Sequence, residues 1–158
     1  MPALEGIFSF GVGYDTIDLA AAQARGVVVT NTPGVLDACV ADTALALMLA
    51  APRRIVEADR FVRAGRWPNE GFPLATRMSG KRCGIAGLGN IGLQIARRAA
   101  AFDMDILYTS RKPRADAPAG YRYCPDIASL ATECDFLVLA VPGGNAVSYT
   151  HLTLPTKA

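Results

Sequence analysis

At 158 residues, the chain can enclose one hydrophobic core but is too short for two full domains. A content of 51% hydrophobic and 19% charged residues excludes a disordered segment, and the apolar excess points to surface meant for a partner. A formal net charge of +2 is too weak to argue for nucleic acid or a membrane surface as that partner.

The opening residues MPALEGIFSF lack the basic region and sustained apolar core of a signal peptide. The longest aliphatic run, residues 44–51, is far too short to span a membrane. Cys39, Cys83, Cys124 and Cys134 are scattered and form no C-x-x-C, which reads as buried, reduced thiols in a cytoplasmic protein rather than a metal or disulfide set. With a single histidine, His151, no zinc cluster is expected, and no metal site is assigned.

In chain order, residues 6–10 predict a short apolar strand ending in Gly11-Val12-Gly13-Tyr14-Asp15. Two glycines around one small apolar residue make either a plain turn or a nest of backbone N–H groups for a carboxylate. Asp15 or Thr16 is expected to cap a short helix over residues 18–23, which Gly26 stops. Residues 27–29 read as another strand, and Asn31-Thr32-Pro33-Gly34 as a linker or turn. A long helix follows, begun by Asp37 or Asp42, with residues 38–50 apolar nearly all round. Such a helix wants burial on more than one side. Pro52 interrupts it at a cost of about 3 kcal/mol, so a kink or break is expected before a second, amphipathic part over residues 55–64. Trp67, Phe72 and Pro73 lie in the loop that follows, as a satellite core or as a subunit contact.

The most informative stretch is GIAGLGNIG, residues 84–92, with Gly87-Leu88-Gly89-Asn90-Ile91-Gly92 between an apolar strand (residues 82–86) and a helical pattern (residues 91–102). A dinucleotide site asks for this order. The first glycine turns the strand tightly, the second lets backbone approach a pyrophosphate, and the third allows close helix–strand packing beneath free N–H groups. A second strand, residues 105–109, completes a β-α-β unit. NAD sites usually place an acidic residue about 20 positions beyond the glycines. Here that position holds Thr109-Ser110-Arg111-Lys112-Pro113-Arg114, with no carboxylate. A hydroxyl and a group of cations suit a 2′-phosphate, so Ser110, Arg111 and Lys112 are candidate readers and NADP(H) is expected over NAD(H). Residues 121–124 predict a weak strand and residues 126–132 a short helix capped by Asp126. Residues 135–141 form a strand whose continuous apolar character predicts cover on both faces. Its end, Val141-Pro142-Gly143-Gly144, is expected to border the ligand crevice.

Together these segments resemble the D-isomer-specific 2-hydroxyacid dehydrogenases, in particular their glyoxylate/hydroxypyruvate reductase branch, over residues 4–145. Phe10-Gly11-Val12-Gly13-Tyr14-Asp15 is similar to the family segment whose backbone touches the substrate carboxylate, which implicates Val12 and Gly13. Residues 29–33 resemble the crossing into the cofactor domain, and residues 41–54 the family's long helix, with Pro52 in place of the usual alanine-like residue. Ser110-Arg111-Lys112 resembles the 2′-phosphate reader of NADP-preferring members, and Val141-Pro142 the loop beside the cofactor.

The resemblance implies an α/β fold: a Rossmann-like parallel sheet with helices on both faces, incomplete, preceded by a remnant of a flavodoxin-like substrate domain. The expected division is residues 1–32 for that remnant, 33–147 for a partial NAD(P)-binding domain, and 148–158 for an artefactual tail outside the family pattern. It also implies an oxidoreductase that reduces 2-keto acids such as glyoxylate or hydroxypyruvate, a homodimer when full length, working in the cytoplasm. The family's catalytic arginine, glutamate and histidine lie downstream of Val141 and have no counterparts here, so the chain alone is expected to be inactive. His151 comes too early, without a neighbouring glutamate. Two other classes compete: a dinucleotide-binding corepressor-like protein and an S-adenosylmethionine-dependent transferase. Each would favour an acidic residue where Ser110-Arg111 stands.

Overall fold

The computed structural model describes residues 3–141. Strands β1 (Gly6–Phe8) and β2 (Val28–Thr30) pair in parallel through helix α1 (Leu19–Ala24), with Gly6 opposite Val28 and Phe8 opposite Thr30. The cap of α1 differs from expectation. Asp18, not Asp15 or Thr16, accepts from the Ala21 N–H through Oδ1 at 2.9 Å. The Ile17 N–H bonds the Tyr14 carbonyl at 2.9 Å, closing a turn over Asp15 and Thr16 and delaying the helix start.

Helix α2 (Asp37–Ala50) buries Ala41, Leu45 and Met48. Proline brings the break that its missing N–H demands: residues 51–54 turn, and Arg54 enters the left-handed region at φ 53° before α3 (Ile55–Arg63) begins. The loop after α3 folds back on it. Phe61 is buried, with Trp67 edge-on at 6.4 Å and Phe72 tilted at 5.3 Å between ring centroids. Arg54 lies over the Phe72 ring and Arg66 over Phe61. This is a satellite core, and Trp67 still leaves much of its ring exposed.

The main sheet comprises β3 (Arg82–Ala86), β4 (Asp105–Thr109), β5 (Arg122–Tyr123) and β6 (Phe136–Leu139), all parallel, in the order β5-β4-β3-β6. Helix α4 (Asn90–Ala100) links β3 to β4, and α5 (Ile127–Glu133) precedes β6. Alternation along the strands sorts the core into two layers. Cys83, Ile85, Ile106 and Tyr108 pack with Ile95, Ala96 and Ala99 of α4 and Ala41, Leu45 and Met48 of α2. On the other face Ala86 and Leu107 pack with Cys124 and Leu130. Gly84 is needed for that second layer: a Cβ there would sit 2.7 Å from Cys134 Sγ and 3.0 Å from Leu130 Cγ. The Asp42–Arg98 ion pair, 2.6 Å, ties α2 to α4. Asp126 caps α5 as expected, accepting from the Ser129 N–H at 2.7 Å.

The last strand meets the core on both faces, with Phe136 and Val138 against one layer and Leu137 against the other, but the cover is partial: all three are half-buried and Leu139 is exposed. Among the described residues β6 pairs only with β3 and is the sheet's edge, so its outer side meets no further strand. Asp135 stays outside the strand and closes its start, its carboxylate accepting from the Arg82 N–H at 2.8 Å.

Candidate functional site

The chain runs outward from β3 to β4 and β5, then crosses back to lay β6 on the other side of β3. Beyond the carboxyl ends of β3 and β6 is therefore the point where the winding reverses, the place where open α/β sheets form their ligand crevice. The glycine stretch stands there, and each glycine has a different structural reason.

Gly87 turns the chain at φ +94°, its N–H bonding the Thr109 carbonyl at 2.9 Å. A Cβ on it would fall 2.5 Å from the Ala140 carbonyl oxygen and 2.7 Å from Val141 Cγ1. The end of β6 thus abuts the turn, and Val141 lies beside it. Gly92 is buried under the turn, where a Cβ would collide with the Gly87 carbonyl oxygen. Gly89 faces open space, with nothing within 4 Å of a Cβ built on it. Helix α4 begins there without a side-chain cap, and its first bond is Leu93 N–H to the Gly89 carbonyl, 2.8 Å. The N–H groups of Asn90 and Ile91 have no partner among the described residues. Free donors at the positive end of a helix, beside a glycine with no neighbour above it, fit a pyrophosphate. The Leu88 side chain is buried and Asn90 is exposed.

At the end of β4 the arrangement is less direct. Thr109 is buried. The Ser110 hydroxyl donates to the Lys112 carbonyl at 2.6 Å, so it closes its own turn rather than pointing to a ligand. Arg111 and Lys112 are exposed, and their side chains make no hydrogen bond or ion pair among the described residues. Arg114 is the engaged cation. Its Nη1 donates to the Leu88 carbonyl at 2.5 Å, while Nε and Nη2 donate to the two Asp116 oxygens at 2.8 and 2.5 Å. The Arg114 bond holds the Asp116 carboxyl below the usual carboxylate range. The Arg114 backbone N–H donates to the buried Tyr108 hydroxyl at 3.1 Å, and Tyr123 packs edge-on against Tyr108 at 5.6 Å. The basic cluster is visible in the sequence, but the Arg114 contact with Leu88, which spans 26 residues, and the role of Asp116 leave no local signal there.

Val12 and Gly13 lie in the turn after β1. Asn31 Nδ2 donates to the Val12 carbonyl at 2.8 Å, and the Thr32 hydroxyl donates to Phe10 at 2.7 Å. The Thr32 N–H reaches the Gly11 carbonyl at 3.3 Å. The linker residues thus bind the turn's carbonyls and leave the N–H groups of Val12 and Gly13 without a partner among the described residues. Pro142, the two glycines after it and His151 lie outside the described residues.

A separate concavity of about 510 Å³ opens beside α3, lined by Arg54, Arg60, Phe61, Arg66 and Phe72. It does not border the glycine turn, and Glu57 and Glu70 pair with two of its arginines. Among the described residues no cluster of three or more acidic, cysteine or histidine side chains could hold a metal, and no helix is long and apolar enough to cross a membrane.

Residues 45–150 match the domain described as "D-isomer specific 2-hydroxyacid dehydrogenase, NAD binding domain". Over 142 residues the chain is 49% identical to glyoxylate/hydroxypyruvate reductase A of Arabidopsis thaliana, covering 90% of this chain and 45% of that protein. A 2-hydroxyacid dehydrogenase from Ketogulonicigenium vulgare Y25 superposes with a TM-score of 0.86 at 46% identity, over 90% of this chain and 45% of its own. An NADPH-dependent glyoxylate/hydroxypyruvate reductase from Sinorhizobium meliloti, in complex with NADP and malonate, superposes with a TM-score of 0.82 at 46% identity, over 92% and 46%. The chain spans less than half the length of these relatives.

Proposed function

This chain belongs to the D-isomer specific 2-hydroxyacid dehydrogenases through their NAD-binding domain, and from that premise we propose that its protein reduces 2-keto acids such as glyoxylate or hydroxypyruvate, with NADPH preferred over NADH. The observation that carries this reading is the conjunction at the winding reversal: an open Gly89, an uncapped α4 and a neighbouring strand end with cations and no carboxylate. When bound, the nicotinamide supplies the hydride; the protein's part is to seat and orient it. The N–H groups of Gly89, Asn90 and Ile91 would hold the pyrophosphate, and Gly87, Leu88 and Gly92 shape the turn. Val141 and Pro142 would flank the cofactor. Arg111, assisted by Lys112, would pair with the 2′-phosphate, and Ser110 would hold the turn that carries them. Val12 and Gly13, whose N–H groups share peptide units with the bound Gly11 and Val12 carbonyls, would offer donors to the carboxylate of the substrate. Such a protein is a cytoplasmic homodimer, with residues 1–32 belonging to its substrate domain and 33–147 to its cofactor domain.

Titrating both cofactors into the full-length protein and its Arg111→Ala variant tests the reading. Hydrogen bonds to charged groups contribute roughly 1.5–3 kcal/mol net, so NADPH should weaken by about tenfold to a hundredfold, while NADH barely moves. Equal losses for both cofactors, or none, would remove Arg111 from the site. The chain on its own, with His151 as its single histidine, is expected to give no turnover with NADPH and hydroxypyruvate. General acid–base help alone is typically worth about 10² to 10⁴ in rate.

A further inference from the structure

We propose that Arg114, clamped by Asp116, is a positioning residue that sets the glycine turn for the dinucleotide and does so equally for NADPH and NADH. The inference rests on the dinucleotide reading above. A peptide unit is planar, so a carbonyl and the N–H that follows it point in opposite directions. Arg114 Nη1 holds the Leu88 carbonyl at 2.5 Å and thereby fixes the plane whose other end is the Gly89 N–H. That peptide needs an outside restraint. Gly89 has no Cβ, and a Cβ built there would meet nothing within 4 Å, so local packing does little to stop the unit from turning over.

The clamp has a firm base. The Arg114 backbone N–H is bonded to the Tyr108 hydroxyl at 3.1 Å, and Tyr108 is buried beneath the loop. Asp116 takes Nε and Nη2 in a two-pronged pair, at 2.8 and 2.5 Å, which orients the guanidinium toward Leu88. It also cancels the Arg114 charge. The pair therefore offers little net attraction to a 2′-phosphate, and the uncommitted cations of the loop are Arg111 and Lys112. One arginine supports the turn common to both cofactors, and the other distinguishes between them.

The test measures dissociation constants for NADPH and NADH, by fluorescence titration, on the full-length protein and its Arg114→Ala and Arg114→Lys variants, with melting temperatures alongside. Arg114→Ala should weaken both cofactors by the same factor, about threefold to tenfold, leaving their ratio unchanged. Arg114→Lys keeps a donor for the Leu88 carbonyl but loses the planar fork that Asp116 grips, and should recover only part of the loss, again by the same factor for both cofactors. A loss confined to NADPH would make Arg114 a phosphate reader and overturn the proposal. A lower melting temperature with unchanged affinities would reduce it to a structural ion pair and also overturn it. Should the native protein bind neither dinucleotide, the cofactor reading itself falls. Tight native binding that Arg114→Ala leaves unchanged sinks the clamp alone.

Discussion

Gly89 and Gly92 belong to the same motif but resist substitution for opposite reasons. At Gly92 a methyl group meets the backbone of Gly87, which has nowhere to go because its own turn presses on Ala140. Gly92→Ala should therefore destabilise the fold by about 1–3 kcal/mol or more, the range for overpacking, seen as an earlier urea midpoint. At Gly89 the backbone sits at an ordinary φ of −78° with space above it. Gly89→Val should leave the midpoint nearly unchanged and abolish dinucleotide binding, since the branched side chain would fill the approach to the N–H groups. A matching loss of stability in Gly89→Val would show that the space is not a ligand's. Burial acts differently on the thiols. Burial first, then the neighbouring Cys134, pushes the Cys83 thiol up from 9.0 to about 12. Below about pH 9 the thiol is neutral folded or unfolded, and its contribution is constant; as pH rises from there to about 12 only the unfolded chain ionises, so stability falls. Alkylation at pH 8 should label exposed Cys39 rapidly and spare Cys83 until the chain unfolds.

At the scale of elements, local signals proved readable and neighbours did not. Asp18 is the cap of α1, so Asp18→Ala should cost about 1 kcal/mol of stability, while Asp15→Ala and Thr16→Ala should leave α1 intact. Comparing the three variants by denaturant unfolding decides between Asp18 and the two residues that spacing alone suggested. The strand at β4, the helix after the glycines, the cap at Asp126 and the break at Pro52 were all legible because each depends on a few adjacent residues. The edge position of β6 was not. Its apolar run matches that of a central strand and meets the core on both faces, but nothing in residues 136–139 encodes that, among the described residues, only one of its sides is paired. The site divides along the same line. Glycine spacing located the turn, whereas three cations within four positions, Arg111, Lys112 and Arg114, could not be told apart until the chain showed which one reaches Leu88.

For the whole molecule, the telling element is α2, which is apolar on two sides. Ala41, Leu45 and Met48 form the stripe buried against the sheet's helix layer. Leu36, Val40 and Leu47, spaced four and seven apart, line the opposite side and are exposed, Leu47 by 66%. A helix that only served this chain's core would carry polar residues there. Ile55, Val56 and Val62 of α3 are exposed as well, and a surface of this kind normally meets another protein surface. The homodimer proposed above gives it one. Leu47→Glu tests this without touching the core or the glycine turn, because the side chain makes no part of either cluster. Sedimentation of the full-length protein should give the mass of two chains, and the variant should shift toward one while its melting transition, at low concentration, stays cooperative. Burying an unpaired carboxylate in an apolar interface is costly, so a variant that stays fully dimeric would place the subunit contact elsewhere. A native protein that is monomeric at every concentration would leave the second stripe of α2 to a different partner.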